Sequence, residues 1–162
     1  MKEVLIIRSV SFQQLDKNLP VIRERYPDHK ISVLTHEHGV LLTQKYKDVE
    51  TVYIYPYREG FLYKNKAIEV NDQIFDAVII PVANITGTGF FNVLKYSLSL
   101  KTGQRMICNV TSEMREIKPA TIRLIGIRNG IISALSVVLT GIMAIPLVLL
   151  PLRLFLLRKV NA

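Results

Sequence analysis

Lys2-Glu3-Val4-Leu5-Ile6-Ile7-Arg8 opens the chain with four consecutive apolar residues closed by a cation. An apolar run this short, without alternation, reads as a strand buried on both faces, the kind found in parallel sheets. The residues after it fit that reading. Over 11–26, Leu15, Leu19, Ile22 and Tyr26 fall on one stripe at helical spacing, with Ser11 placed as an N-cap and Pro27-Asp28 as the stop. Lys30-Ile31-Ser32-Val33-Leu34-Thr35 predicts a second strand, 38–47 a second helix, and Thr51-Val52-Tyr53-Ile54-Tyr55 a third strand. After a looser stretch, Phe75 to Pro81 reads as a fourth strand, Phe90 to Leu100 as a helix and Arg105 to Asn109 as a fifth strand. Strands alternating with helices predict an α/β domain built on an open parallel sheet covered on both faces. In such sheets ligands bind beyond the carboxyl ends of the strands. That rule nominates Ser9–Gln14, Thr35–Gly39, Tyr55–Gly60 and Val82–Gly89.

Charge is distributed unevenly along the 162 residues. All 13 acidic residues lie between Glu3 and Glu116, and residues 1–120 carry 16 basic ones, for a net charge of +3. Residues 121–162 hold Arg123, Arg128, Arg153, Arg158 and Lys159 and no acid. Between those cations, Gly130 to Leu152 is uncharged and rich in Ile, Leu and Val. Its 23 residues, at about 1.5 Å each, match a hydrocarbon core of about 30 Å. Cations flanking such a run read as anchors at lipid headgroups, so no nucleic-acid partner is expected despite the basic pI. The chain therefore divides into an α/β domain (1–118), a basic juxtamembrane connector (119–129), a membrane helix (130–152) and a basic tail (153–162). Pro146 and Pro151 each remove a helix hydrogen bond, and cations stand at both ends, so spanning and re-entrant arrangements both remain open. No secretory signal precedes the first strand, which places the α/β domain in the cytoplasm, at an inner membrane. The single cysteine, Cys108, fits a reducing compartment.

Four passages together resemble the N-terminal half of glycosyltransferase family 9, the heptosyltransferase-like enzymes. They are Val4-Leu5-Ile6-Ile7-Arg8, Leu19-Pro20-Val21-Ile22-Arg23-Glu24-Arg25-Tyr26-Pro27, Ile31-Ser32-Val33-Leu34-Thr35-His36 and Phe75-Asp76-Ala77-Val78-Ile79-Ile80. The resemblance covers about residues 3–118 and implies a Rossmann-like sheet, half of a GT-B fold, acting on a glycan or lipid-linked acceptor. The chain departs from the pattern twice. Family members place Gly-Asp in the loop after the first strand, the Asp serving as base, whereas this chain has Gln13-Gln14 there. An amide cannot take up a proton near neutral pH. The second departure is the missing donor-binding domain, replaced here by a membrane segment.

Several candidates remain for chemistry. Asp16, His36 and Glu37 are the weak catalytic candidates, each able to act as a base. Ser11, Gln13, Gln14, His36, Gly87, Thr88 and Gly89 are the ligand-binding candidates, the last three because a glycine-rich turn ahead of a helix can cradle a phosphate. His36-Glu37-His38 lacks a third ligand, so no metal is expected, and no cofactor motif is present. Tyr53, Tyr55, Tyr57, Phe61 and Tyr63 form an aromatic patch suited to packing or to a partner. The expected function is a membrane-anchored half-domain in polysaccharide or lipid-linked glycan synthesis. It would be non-catalytic alone and paired with a separate nucleotide-sugar-binding chain or with itself. The alternative is a membrane scaffold or assembly subunit that keeps only the fold.

Overall fold

The computed structural model describes the backbone of residues 2–160 and, Ile68 excepted, the side chains of residues 2–144. The chain divides into two compact units, Met1–Arg123 and Leu124–Ala162.

The first unit is an α/β domain. Its strands are β1 (Glu3–Ile7), β2 (Lys30–His36), β3 (Thr51–Tyr55), β4 (Ile74–Pro81), β5 (Lys101–Cys108) and β6 (Met114–Glu116). Its helices are α1 (Phe12–Arg25), the single-turn α2 (Val40–Thr43) and α3 (Ile68–Asn71), and α4 (Phe91–Ser97). A fifth helix, α5, runs Pro119–Val160. The strands form one sheet in the order β3-β2-β1-β4-β5-β6. The first five run parallel to their neighbours, in registers such as Ile6 opposite both Val33 and Ile79. β6 returns antiparallel against β5, with Ile107 opposite Arg115. The sheet is thus mostly parallel, and an all-parallel expectation is corrected at this edge. β6 has three residues, two of them charged, and so carries no apolar pattern to announce it.

Strand alternation divides the core in two. On one face Val4, Ile6, Ile31, Val33, Ala77, Ile79, Met106 and Cys108 pack against Leu15, Leu19, Ile22 and Tyr26 of α1. The predicted stripe of α1 is therefore its buried face, each full aliphatic burial contributing about 1.5–3 kcal/mol. Ser11 caps this helix, accepting from the Gln14 N–H. On the other face Tyr96 of α4 meets Tyr55 edge-on at 5.5 Å, and Phe61 lies 4.6 Å from Tyr55. Arg105 holds the end of α4, donating from Nε to the Ser97 carbonyl at 3.1 Å and from a terminal nitrogen to the Leu100 carbonyl at 2.9 Å. The Ser97 carbonyl also accepts from the Leu100 N–H at 3.2 Å, and a cation at this end interacts favourably with the helix dipole.

The helix expected over 38–47 is a 3₁₀ turn (Glu37–Gly39) leading into the four residues of α2. In contrast, α5 is longer than the apolar run. Pro119 occupies its first position, where a missing N–H costs nothing. From there the helix continues through the segment expected as a connector, past Pro146 and Pro151, to Val160. Its 42 residues correspond to about 63 Å. The side chains of Arg153, Arg158 and Lys159, expected as a basic flank, lie outside the described residues.

The second unit consists of α5 from Leu124 onward. Pro119–Ala144 is a candidate membrane span, long and apolar enough by composition. Leu124, Ile127, Leu135, Val137, Val138, Leu139 and Met143 are each more than half exposed. The Ser136 hydroxyl donates to the Ile132 carbonyl and the Thr140 hydroxyl to the Ser136 carbonyl, so neither needs water.

Candidate functional site

The sheet order reverses between β1 and β4, and the loops beyond their carboxyl ends meet there. Ser9 Oγ donates to the Pro81 carbonyl at 2.5 Å, joining the β1–α1 loop to the end of β4. Beside it stands Arg8, its guanidinium half-buried. Nε donates to Thr35 Oγ1 at 2.7 Å, one terminal nitrogen donates to the Val10 carbonyl at 3.2 Å, and the other lies 3.4 Å from His38 Nε2. The guanidinium carbon sits 4.6 Å from the centre of the Phe12 ring, a cation–π distance. Each of these partners is neutral or a histidine, and none is a carboxylate. Among the described residues the one ion pair is Arg23 with Asp48. Burial lowers the Arg8 pKa, opposed by the nearby Tyr46 phenol, but an arginine keeps its charge. Gly39 makes this arrangement possible. A Cβ at that position would collide with Thr35 Oγ1 and come within 2.9 Å of an Arg8 terminal nitrogen.

His36 follows Thr35 but takes the other face. It packs against Phe61 at 4.9 Å and Tyr55 at 5.3 Å, and stacks on His38 at 5.7 Å. Its Nε2 is 3.4 Å from the Glu59 carbonyl. Burial among these rings lowers its pKa; the Glu59 carbonyl raises it, and the charges of His38 and Arg8 lower it further. His36 is therefore neutral near pH 7. Glu37 points outward from the 3₁₀ turn.

The candidates on α1 separate. Gln13 is exposed. Gln14 is buried, donating to Asn18 Oδ1 at 2.8 Å and to the Val110 carbonyl at 3.2 Å. It fastens α1 to the β5–β6 turn. Asp16 is exposed on the helix and accepts from the Tyr46 hydroxyl. The Gly87–Gly89 loop is tied by its own side chains and by Arg115, which donates to the Thr86 carbonyl at 2.6 Å. Gly87 and Gly89 both have positive φ, 82° and 87°, which glycine alone adopts without strain. The Gly87 N–H is taken by Asn84 Oδ1 at 2.5 Å and the Thr88 N–H by Thr86 Oγ1 at 3.3 Å. Asn84 Nδ2 donates back to the Thr88 carbonyl at 2.7 Å. Ser11, Gln14 and Asp16 thus share one stretch of α1, His36 and Glu37 share the end of β2, and the glycine loop stands apart.

Among the described residues, no three His, Cys, Asp or Glu side chains come together as a metal site. Burial pushes the Cys108 thiol up to about 11, which keeps it protonated and unreactive at neutral pH. The centre of the site was not among the sequence candidates. Arg8 stood in the sequence as the charge ending an apolar strand, immediately before the loop that the strand-end rule nominated, and that position was the available signal. Phe12, Thr35 and Gly39 lay inside the nominated segments Ser9–Gln14 and Thr35–Gly39 without being singled out, and Lys45 lay outside them, because their roles depend on contacts between separate elements of the fold.

Compared with protein-family models, curated proteins and solved structures, the chain matches none.

Proposed function

We propose that the chain is a membrane-anchored, glycosyltransferase-like half-domain, acting in polysaccharide or lipid-linked glycan synthesis at the cytoplasmic face of the inner membrane. It works without catalysis of its own and beside a separate donor-binding chain. The observation that carries the membrane part is α5, whose side chains Leu124, Ile127, Leu135, Val137, Val138, Leu139 and Met143 are each more than half exposed. Bare hydrocarbon of this length is unfavourable in water by about 25 cal/mol per Å² and favourable in lipid. The order β3-β2-β1-β4-β5 is that of doubly wound nucleotide-binding folds, which supports a Rossmann-like reading and agrees with the four passages that resemble glycosyltransferase family 9. The non-catalytic part rests on the first two turns of α1. Gln14 is a buried structural amide, and Asp16 is engaged by Tyr46.

The Asn84–Thr88 loop favours a second reading. The Gly87 and Thr88 N–H groups and the Thr88 carbonyl are taken by the loop's own side chains and the Thr86 carbonyl by Arg115, as in a scaffold that keeps the fold without its ligand. Purification of the full chain in a mild detergent separates the two. The glycosyltransferase-like reading expects a nucleotide-sugar-binding chain to accompany it, and recovery of the protein with itself alone favours the scaffold. Release of the chain into the supernatant by alkaline washing of membranes, without detergent, would sink the anchored reading.

A further inference from the structure

Arg8 is a half-buried guanidinium with no carboxylate among its hydrogen-bond partners. Removing an ion from water is costly, and folded proteins ordinarily offset that cost with a carboxylate. Arg8 has none, and its three hydrogen-bonding neighbours leave part of its fork of five N–H donors unused. The Phe12 ring beneath it has a second role. It also lines a groove of about 210 Å³ with Leu42, Lys45 and Tyr46. Phe12 and Tyr46 lie nearly parallel, 17° apart with centres separated by 6.4 Å, and form the floor. Lys45 is exposed at the same groove and belongs to no ion pair among the described residues. Asp16 accepts from the Tyr46 hydroxyl.

We infer that Arg8, whose guanidinium stacks on the Phe12 ring, and Lys45, which lines the groove beside Phe12 and Tyr46, form a binding site for a phosphate or diphosphate group. A planar guanidinium matches phosphate oxygens two at a time, and the lysine supplies a second, mobile charge. The groove is smaller than the roughly 300–1,000 Å³ of pockets that enclose whole small-molecule ligands. It takes a phosphorylated end and leaves the rest of the molecule outside. Either a soluble phosphate or the headgroup of a phospholipid meets that description. Thr35 and Gly39 are positioning residues, the first accepting from Nε and the second leaving room for the guanidinium. The inference requires none of the glycan reading, and a chain purified without a partner would still show the site.

The test uses the full chain in phosphatidylcholine nanodiscs, with thermal unfolding followed by tyrosine fluorescence. In one arm inorganic pyrophosphate is titrated; in the other, part of the phosphatidylcholine is replaced by phosphatidic acid. A ligand that binds only the folded chain raises the melting temperature with saturation. A soluble source gives a saturable rise with pyrophosphate that phosphatidic acid leaves unchanged, and a lipid source gives a rise on the phosphatidic acid discs. In either case Arg8→Gln should weaken the response about tenfold or more, and the exposed Lys45→Ala severalfold. Should Arg8→Gln not fold, Arg8→Lys keeps the charge and loses the fork, and a severalfold loss is expected there as well. Responses equal to the wild type in Arg8→Lys and Lys45→Ala, or no saturable response to either probe, overturn the assignment.

Discussion

Gln14 Nε2 donates to the carbonyl oxygen of Val110 at 3.2 Å, across 96 positions of sequence. Gln14 stands in the first turn of α1, at the position where the resemblance to glycosyltransferase family 9 would place a carboxylate. Here an acid would face backbone carbonyl oxygens, so Gln14→Glu is expected to destabilise the fold and to confer no transferase activity. Losing the buried donors and adding a charge should cost about 1–3 kcal/mol at pH 7. Burial raises the folded pKa of the introduced carboxyl above its unfolded value of about 4.3. Below about pH 4 the group is neutral in both states, so the charge penalty vanishes, and it grows as pH rises through the interval between the two pKa values. Urea unfolding in a neutral detergent at acidic and neutral pH measures this. A penalty independent of pH would refute the account.

Tyr46 carries the opposite lesson for Asp16. Burial pushes the Tyr46 phenol up to about 12, aided by the Asp16 carboxylate it donates to and opposed by Arg8. Stability from this contact is present below the unfolded pKa of about 10 and is lost as pH rises through about 12. Asp16→Asn should lower the phenol pKa without returning it to 10, because burial remains. The ultraviolet phenolate signal, taken as the difference between each protein and its Tyr46→Phe counterpart, reads the value directly.

Gly39→Ala is expected to destabilise the α/β unit by about 1–3 kcal/mol, since the added Cβ meets Thr35 Oγ1 and the Arg8 guanidinium at contact distances that require something to shift. Thr35→Ala removes one of the two colliding groups. The double variant should therefore be more stable than the sum of the single changes predicts, a non-additivity that a double-mutant cycle resolves above about 0.5 kcal/mol. Strict additivity would mean that the two positions do not share the strain.

The strands were legible because each needed only its own residues. Val4-Leu5-Ile6-Ile7, Ile31–Leu34 and Ala77–Ile80 are buried on both faces, and an apolar run states that directly. β5 begins at Lys101, earlier than its apolar residues, because Lys101-Thr102-Gly103-Gln104-Arg105 pairs with β4 while remaining partly exposed, and backbone pairing leaves no mark on polarity. α3 is a single turn within a stretch of mixed composition, too short to show a period. The expected helix at 38–47 contained the right apolar residues, but Leu41 and Leu42 are exposed, so the stripe had no buried face to define it. For the site, the strand-end rule pointed to the right edge of the sheet. The choice of residues within it depended on which polar groups were already satisfied by neighbours. Gln14 joins α1 to the β5–β6 turn, the Gly87 N–H is taken by Asn84, and Arg8, attractive for nothing in its spacing, is a half-buried guanidinium with no carboxylate partner.

For α5, the decisive property is the mismatch between exposure and chemistry. Val138 is 59% exposed and Leu135 64%, in the second half of a stretch of 26 residues that is long enough for a bilayer core. Were this surface resting in water, a charge there would be harmless or even solubilising. In lipid, a central Asp or Arg costs about 2.5–3.5 kcal/mol on insertion scales, enough to lower an insertion equilibrium by roughly two orders of magnitude. Leu135→Arg combined with Val138→Asp would pair the charges along one helix face and blur the reading, so Val138→Arg alone is the informative change. It should shift the chain from the alkaline-washed membrane pellet toward the supernatant, while Ile74→Arg, at a site 79% exposed on the α/β unit, should leave the distribution unchanged. Equal partitioning of the two variants would mean that the aliphatic surface of α5 is covered by protein, and the membrane reading would have to be abandoned for a partner helix.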